Sequence, residues 1–387
     1  MKKEKNLYDI INHLGEDQFN YSPVTTPIYQ TSNFFFPDFK SLHKALQDEK
    51  LVPIYTRGQN PTVRVVEKKI AALENGEEAK LFSSGIAAIA AAVMAFLKSG
   101  DEVVCVRDCY CWTYRLFDQY LQRFGIKVNF VEGTRIEHWE SQVNSKTKLF
   151  MLESPTTFSF DIQNLQQVAD LAKRNNIKTV IDNSWATPCY QNPLDYGIDL
   201  VVHSCSKYLG GHSDLVGGVV VGSAEDISVI FSQEFMNKGS CPSPFDSWLL
   251  LRGLRTLPLR MERHYSSTMK LVRWLKNCSR VKQVLYPLDQ DHPQYDLAVQ
   301  QLRGGSGLFS FRLDTKLIED VVKFTDNLKV FRKAVSWGGF ESLVVPAAAT
   351  STKDADKIDI IRLHVGLDDP EVLMEDLDQA FGKMNHR

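Results

Sequence analysis

Val201-Val202-His203-Ser204-Cys205-Ser206-Lys207-Tyr208 carries an apolar, β-type stretch straight into a lysine. Lysine is almost never fully buried without a partner, and a lysine emerging from a strand end into water is the commoner arrangement. A desolvated lysine, however, gives up its proton readily and becomes a nucleophile toward an aldehyde. The hydroxyls of Ser204 and Ser206, just before it, could bind a phosphate ester. Upstream, Thr179-Val180-Ile181-Asp182-Asn183-Ser184 sets an acid at the end of another apolar run. Open α/β sheets bind ligands at the carboxyl ends of their strands. There a carboxylate can pair with a pyridinium nitrogen and keep the ring protonated as an electron sink. Alone, Asp182 would read as a turn former or helix cap. A strand-end acid followed in chain order by a strand-end lysine is what a pyridoxal phosphate site requires. A third stretch, Ser83-Ser84-Gly85-Ile86-Ala87-Ala88, opens an apolar helix with small residues. Its free N–H groups and helix dipole suit a phosphate, although many helices open this way with no ligand.

Outward from these segments the pattern alternates. β-type runs occur at Glu102–Val106, Lys127–Val131, Leu149–Leu152, Thr179–Ile181, Leu200–His203 and Val219–Val221, with helical stretches such as Leu116–Phe124 and Leu165–Arg174 between them. Apolar strands alternating with helices imply an α/β fold with a mainly parallel sheet covered on both faces. Asn60-Pro61 reads as an N-cap followed by proline at the first helical position, with Val63, Val66, Ile70 and Leu73 at helical spacing and Gly76 as the stop. The run from Gly85 to Leu97 is apolar on nearly every side, as in a helix buried all round. Past Leu250 the pattern turns helical, gives strands near Gly307–Leu313 and Ile361–Val365, and ends in an amphipathic helix. The expected organisation is an N-terminal arm over residues 1–59, a large cofactor-binding α/β domain over 60–250 and a smaller α+β domain over 251–387.

Composition excludes several classes. Apolar residues are 43%, charged residues 24% and the net charge is −2, so no basic surface for nucleic acid or anionic lipid is expected. The apolar run Ile86–Leu97 is too short for a bilayer, and the lysines at the start have no apolar segment behind them. The 7 cysteines are scattered, Cys105, Cys109 and Cys111 lacking a second pair at zinc-ligand spacing, which fits reduced thiols in the cytoplasm and no metal.

The motifs resemble those of the Cys/Met-metabolism family of fold-type-I pyridoxal-phosphate enzymes, from about Pro27 to the C-terminus. They stand as Tyr55-Thr-Arg57-Gly-Gln-Asn60-Pro61, Ser84-Gly85-Ile86, Asp108-Cys-Tyr110, Glu153-Ser-Pro155-Thr, Asp182-Asn-Ser and His203-Ser204-Cys-Ser206-Lys207. Later come Leu251-Arg252-Gly-Leu-Arg, Ser336-Trp-Gly-Gly-Phe-Glu341-Ser and Ile361-Arg362-Leu-His-Val-Gly366. The resemblance implies a seven-stranded type of large-domain sheet and a set of roles. Lys207 would bind pyridoxal 5'-phosphate covalently and move the proton at Cα, and Asp182 would pair with the ring nitrogen. Ser84, Gly85, Ile86, Ser204 and Ser206 would hold the phosphate. Tyr110 would stack on the ring and protonate the leaving group. Arg362, with Ser336 and Tyr55, would bind the amino-acid substrate, the planar arginine fork gripping its α-carboxylate. Tyr55 and Arg57 would reach the phosphate in a neighbouring subunit, which implies a homo-oligomer, a dimer of dimers, with shared sites.

Five departures from that family's pattern bear on the reaction. Cys111 and Trp112 stand where two small residues are usual, and Thr157-Phe158 replaces an Asn-Pro pair. The Thr-His pair expected after Pro346 is missing, and the stretch from Thr350 to Asp359 is short. Ile54 and Val335 occupy positions where the cystathionine γ-enzymes carry acids for the distal end of cystathionine. Segments around Gly305, Ser336 and Ile361 look like cystathionine β-lyase, while Asp108–Asp118 and Phe245–Met261 look closer to γ-synthase. The expected activity is carbon–sulfur lysis by β- or γ-elimination, with γ-replacement on an activated homoserine, or a catalytically silent cofactor-binding relative, as the alternatives.

Overall fold

The computed structural model describes residues 6–350 and 355–384. Seven strands, β1 (Glu78–Phe82), β2 (Glu102–Val106), β3 (Lys127–Val131), β4 (Thr147–Glu153), β5 (Lys178–Asp182), β6 (Leu200–Ser204) and β7 (Gly218–Gly222), form one sheet in the order β1-β7-β6-β5-β4-β2-β3. β7 is antiparallel to both its neighbours, and the pairs from β6 through β3 are parallel. Strands β2 and β7 are buried along their whole length, as a sheet covered on both faces demands. The parallel register sets Glu153 opposite Asp182, and β6 carries the chain on to Lys207. Three adjacent strands therefore deliver their last residues to one edge.

β1 is not legible as a strand because Lys80 breaks its apolar run. In the structure Lys80 is buried, with its ammonium 3.0 Å from Glu67 and donating to the Gly58 carbonyl at 3.1 Å. The helix Pro61–Leu73 starts as expected, the Asn60 side chain accepting from the Thr62 N–H. It stops one step earlier than Gly76, Asn75 taking the left-handed conformation at φ +58°. The buried helix runs Gly85–Met94. The segment expected as one helix over Leu116–Phe124 is a wide π turn, Leu116–Tyr120, followed by a 3-10 turn, Leu121–Phe124.

A second sheet, β8 (Val281–Leu285), β9 (Leu308–Leu313), β10 (Arg332–Lys333), β11 (Leu343–Pro346) and β12 (Ile360–His364), has the order β10-β11-β12-β9-β8. Helices Leu257–Lys276, Ile318–Asn327 and Pro370–Phe381 pack against it and one another. Two cores result. The larger runs from Ile10 to Met261, and the smaller from Leu271 onward also takes in Phe160, Ile162, Trp185 and Ala186. The seam between them is thus crossed by the loop after β4 and the turn after β5.

The N-terminal region is more ordered than its weak periodicity implied. Leu7–His13 is a helix, held by the buried Lys69 ammonium, which donates to the carbonyls of Ile10 and Ile11 at 3.0 and 2.8 Å. Burial pulls that amine below its ordinary pKa. Beyond it Tyr21, Val24, Phe35 and Phe39 are strongly exposed. Among the described residues no helix is long and apolar enough to cross a membrane.

Candidate active site

Lys207 follows β6 on a tight turn, its N–H donating to the Ser204 carbonyl at 3.1 Å. Burial depresses the amine to about 8, the Arg362 charge adding to the effect and Asp182 opposing it. Its Nζ donates to Ser336 Oγ at 2.8 Å and lies 5.6 Å from the Trp337 ring centroid. Ser336 is held at φ +82° and Gly338 at φ +87°. A Cβ on Gly338 would come within 2.7 Å of the Tyr208 nitrogen, so glycine lets this loop close over the lysine.

Asp182 ends β5 and accepts from the Ser184 N–H at 3.0 Å. Its neighbour Glu153, ending β4, accepts from the Tyr110 N–H at 2.7 Å and from the Thr157 hydroxyl at 2.8 Å. Burial, reinforced by the Asp182 charge, pushes Glu153 up to about 8. Near neutral pH the Glu153 carboxyl is therefore largely protonated. Tyr110 starts the helix Cys111–Arg115, and burial raises its phenol above the ordinary value. It therefore keeps its proton at neutral pH.

Whether this pocket suits pyridoxal phosphate is tested by its backbone. Helix Gly85–Met94 is capped by Ser84, whose Oγ accepts from the Ala87 N–H at 3.2 Å. The Gly85 and Ile86 N–H groups precede the first possible intrahelical acceptor and so remain available. A Cβ on Gly85 would touch the Ser204 hydroxyl at 3.0 Å, and one on Gly218 would strike the Ser84 carbonyl at 2.3 Å. Two glycines therefore bring the helix start against the end of β6, where Ser204 stands. Ser206 is partly engaged already, accepting from the Gly217 N–H at 3.1 Å. An amide-lined anion cradle, a strand-end acid and a desolvated lysine together fit the cofactor.

Arg362 lies in β12, paired across the sheet with Ser310 and Val345, and is 9% exposed. Among the described residues no carboxylate lies within ion-pair distance of it. Its guanidinium carbon is 4.8 Å from the Phe158 ring centroid, and burial lowers its pKa to about 10, which leaves it charged.

Against known proteins, the chain matches the family described as "Cys/Met metabolism PLP-dependent enzyme" over residues 10–382. The chain belongs to that family. Pyridoxal 5'-phosphate is accordingly its cofactor. Among its relatives is an L-alanine/L-glutamate racemase of Wolbachia pipientis wMel, 34% identical over 99% of this chain and 98% of the relative. A cystathionine gamma-lyase of Bacillus subtilis is 38% identical over 92% and 94%. The crystal structure of metB from Corynebacterium glutamicum superposes with a TM-score of 0.91 at 33% identity, covering 97% and 98% of the two chains.

Within this family member, the chain by itself does not assemble every expected residue. Lys207, Asp182, Tyr110 and Arg362 share one electrostatic neighbourhood, and Ser336 meets Lys207 directly. Tyr55 and Arg57 stay on the arm, both exposed, with the guanidinium 5.9 Å from the tyrosine ring centroid. Val335 is 79% exposed, and Ile54 is half-buried. Trp112 is half-exposed, its ring 4.9 Å from the Arg115 guanidinium carbon rather than folded inward. Pro346 is followed by a short 3-10 turn, Ala347–Ala349, while residues 351–354 of the shortened stretch lie outside the described residues. Sequence reasoning gave no role to Glu153, although an acid ending an apolar strand beside Asp182 was the available signal. It also missed Trp337 under the lysine and Phe158 against Arg362.

Proposed function

We propose that the protein is a pyridoxal-phosphate-dependent carbon–sulfur lyase acting on a sulfur-containing amino acid, with β-elimination first and γ-elimination close behind. The observation that carries this reading is the joint placement of a desolvated Lys207, the Asp182–Glu153 pair and a buried Arg362 with no carboxylate partner among the described residues, around one cradle. When bound, pyridoxal phosphate draws electrons away from Cα and makes its proton acidic. Arg362 would grip the substrate α-carboxylate and so fix which Cα bond faces Lys207. The Lys207 amine, held at Ser336, would accept the Cα proton. Tyr110, still protonated, would hand a proton to the departing sulfur, giving a thiol. Hydrolysis of the remaining enamine-type product yields ammonia and a 2-oxo acid. Asp182 would keep the ring nitrogen protonated, while Ser84, Gly85, Ile86, Ser204 and Ser206 would hold the phosphate.

Apolar residues at positions 54 and 335 support cleavage of substrates without a charged distal group over synthesis of cystathionine. Val335 is 79% exposed in one chain; once the proposed neighbouring subunit covers it and brings its own Ile54 up, a charged distal amino group there would lose water without gaining a partner, at a cost of roughly 1–3 kcal/mol. By transition-state arithmetic that is about a five- to hundred-fold handicap. The test compares, in one preparation, 2-oxo acid release from cystathionine, cysteine and methionine with cystathionine formation from cysteine and an activated homoserine. Release should be faster, and Val335→Glu should move the balance toward cystathionine. Faster synthesis by the wild type would make it a γ-replacement enzyme instead. We further infer a cytoplasmic homo-oligomer, a dimer of dimers, in which Tyr55 and Arg57 complete the neighbour's site. The exposed arm and the free state of all 7 cysteines support this.

A further inference from the structure

The loop that leaves β4 turns back on itself between the two cores. The Thr157 N–H donates to the Asp108 carbonyl at 2.9 Å, Thr156 Oγ1 pairs with Ser159 Oγ at 2.8 Å, and the Asp161 N–H donates to Thr156 Oγ1 at 3.0 Å. Thus pinned, the loop holds Phe158 at φ +65° and Phe160 at φ +59°, a backbone region that aromatic residues rarely enter. The strain has a visible product. Phe160 is fully buried in the smaller core, and the Phe158 ring packs on that core's edge, over the Arg362 guanidinium at 4.8 Å.

An arginine buried as deeply as Arg362 ordinarily pairs with a carboxylate. Such a partner would occupy the N–H fork and compete with any incoming carboxylate. An aromatic ring engages the flat face of the guanidinium instead, through the negative potential above its plane, and leaves the in-plane donors free. We propose that Phe158 is a positioning residue for the substrate, holding Arg362 flat and in place so that its fork receives the α-carboxylate. The proposal rests on the reading of Arg362 as the carboxylate anchor. It also gives a physical role to one of this chain's own departures, since the family pattern has proline at that position.

The test uses the cofactor-loaded enzyme and three variants, Phe158→Leu, Phe158→Tyr and Arg362→Ala. Glycine binding is read from the cofactor's absorption band, methylamine serves as the carboxylate-free control, and KM and kcat are measured with a thioether amino acid. Removing the ring in Phe158→Leu should raise the glycine Kd and the KM by about 5- to 30-fold, the span of a desolvated cation–ring contact. Methylamine binding should stay constant and the loss should fall on KM rather than kcat. Phe158→Tyr, which keeps the ring, should recover most of the affinity. If Arg362→Ala leaves glycine binding untouched, the anchor reading fails and the proposal with it. If Arg362→Ala weakens glycine binding but Phe158→Leu does not, Phe158 alone is overturned. Should Phe158→Leu fail to fold, trifluorophenylalanine at position 158 keeps the shape and drains the ring's negative face. It should weaken glycine binding in the same direction, and unchanged binding would sink the proposal.

Discussion

On the proposed assignment Lys207 attacks the cofactor's aldehyde as the neutral amine, and burial sets that transition near pH 8. Below it most of the amine is protonated, so cofactor uptake by the cofactor-free enzyme should speed up about ten-fold per pH unit and level off above 8. Stopped-flow absorbance checks this; a rate still climbing at pH 10 would mean an ordinary, solvated lysine. Borohydride reduction of the loaded enzyme should then fix the cofactor on Lys207 alone, and Lys207→Ala should yield no reducible band. At this scale the sequence spoke clearly where chemistry and local position coincide. A lysine three residues past Val201–Ser204 and an acid directly after Thr179–Ile181 need no tertiary knowledge to stand out. Phe158 against Arg362 could not be read, because the contact joins distant segments through a backbone conformation that phenylalanine ordinarily avoids. Glu153 escaped for another reason: its role as acceptor for Tyr110 exists only once β4 lies beside β2, whose following loop carries the tyrosine.

Elements place these residues through close approach. The start of helix Gly85–Met94 meets β7 because Gly218 has no side chain, and the end of β6 because Gly85 has none. Gly218→Ala should push the Ser84 carbonyl away at a cost of about 1–3 kcal/mol, typical of overpacking, and widen the phosphate cradle. Isothermal titration should show pyridoxal phosphate bound at least several-fold more weakly, with the lysine-linked absorption otherwise normal; unchanged affinity would place the phosphate elsewhere. Strands β2, β3, β5, β6 and β7 were legible to within a residue, since each reads as a short run rich in β-branched and apolar residues. β1 and β8 were hidden by Lys80, Lys282 and Gln283 within them, the first neutralised by Glu67 and the others on an exposed edge. The π turn at Leu116–Tyr120 has the same apolar spacing as an α-helix and leaves no separate mark on the sequence.

For the whole molecule, the exposed Tyr21, Val24, Phe35 and Phe39 and the stranded Tyr55 and Arg57 are the surface that the proposed homo-oligomer would cover. Mixing Arg57→Ala with Lys207→Ala subunits, each inactive alone, should restore about a quarter of wild-type activity per site, because random pairing rebuilds one intact shared site in half the dimers. Activity in a stable monomer, or no recovery on mixing, would contradict shared sites. The arm's partner was not readable beyond the resemblance, since its irregular pattern names no surface. The central claim, that Lys207 and Tyr110 together break a carbon–sulfur bond, meets its sharpest alternative in the racemase relative, where the proton at Cα would move and nothing else. Proton NMR of the loaded enzyme with L-cystathionine, and in a second tube L-alanine, in deuterated water separates the two. A thiol and pyruvate, or 2-oxobutyrate for γ-elimination, should build up from cystathionine in molar balance with ammonia, while alanine is left in its L form. Deuterium entering Cα of both amino acids, with D-alanine accumulating and no 2-oxo acid released, would contradict the account.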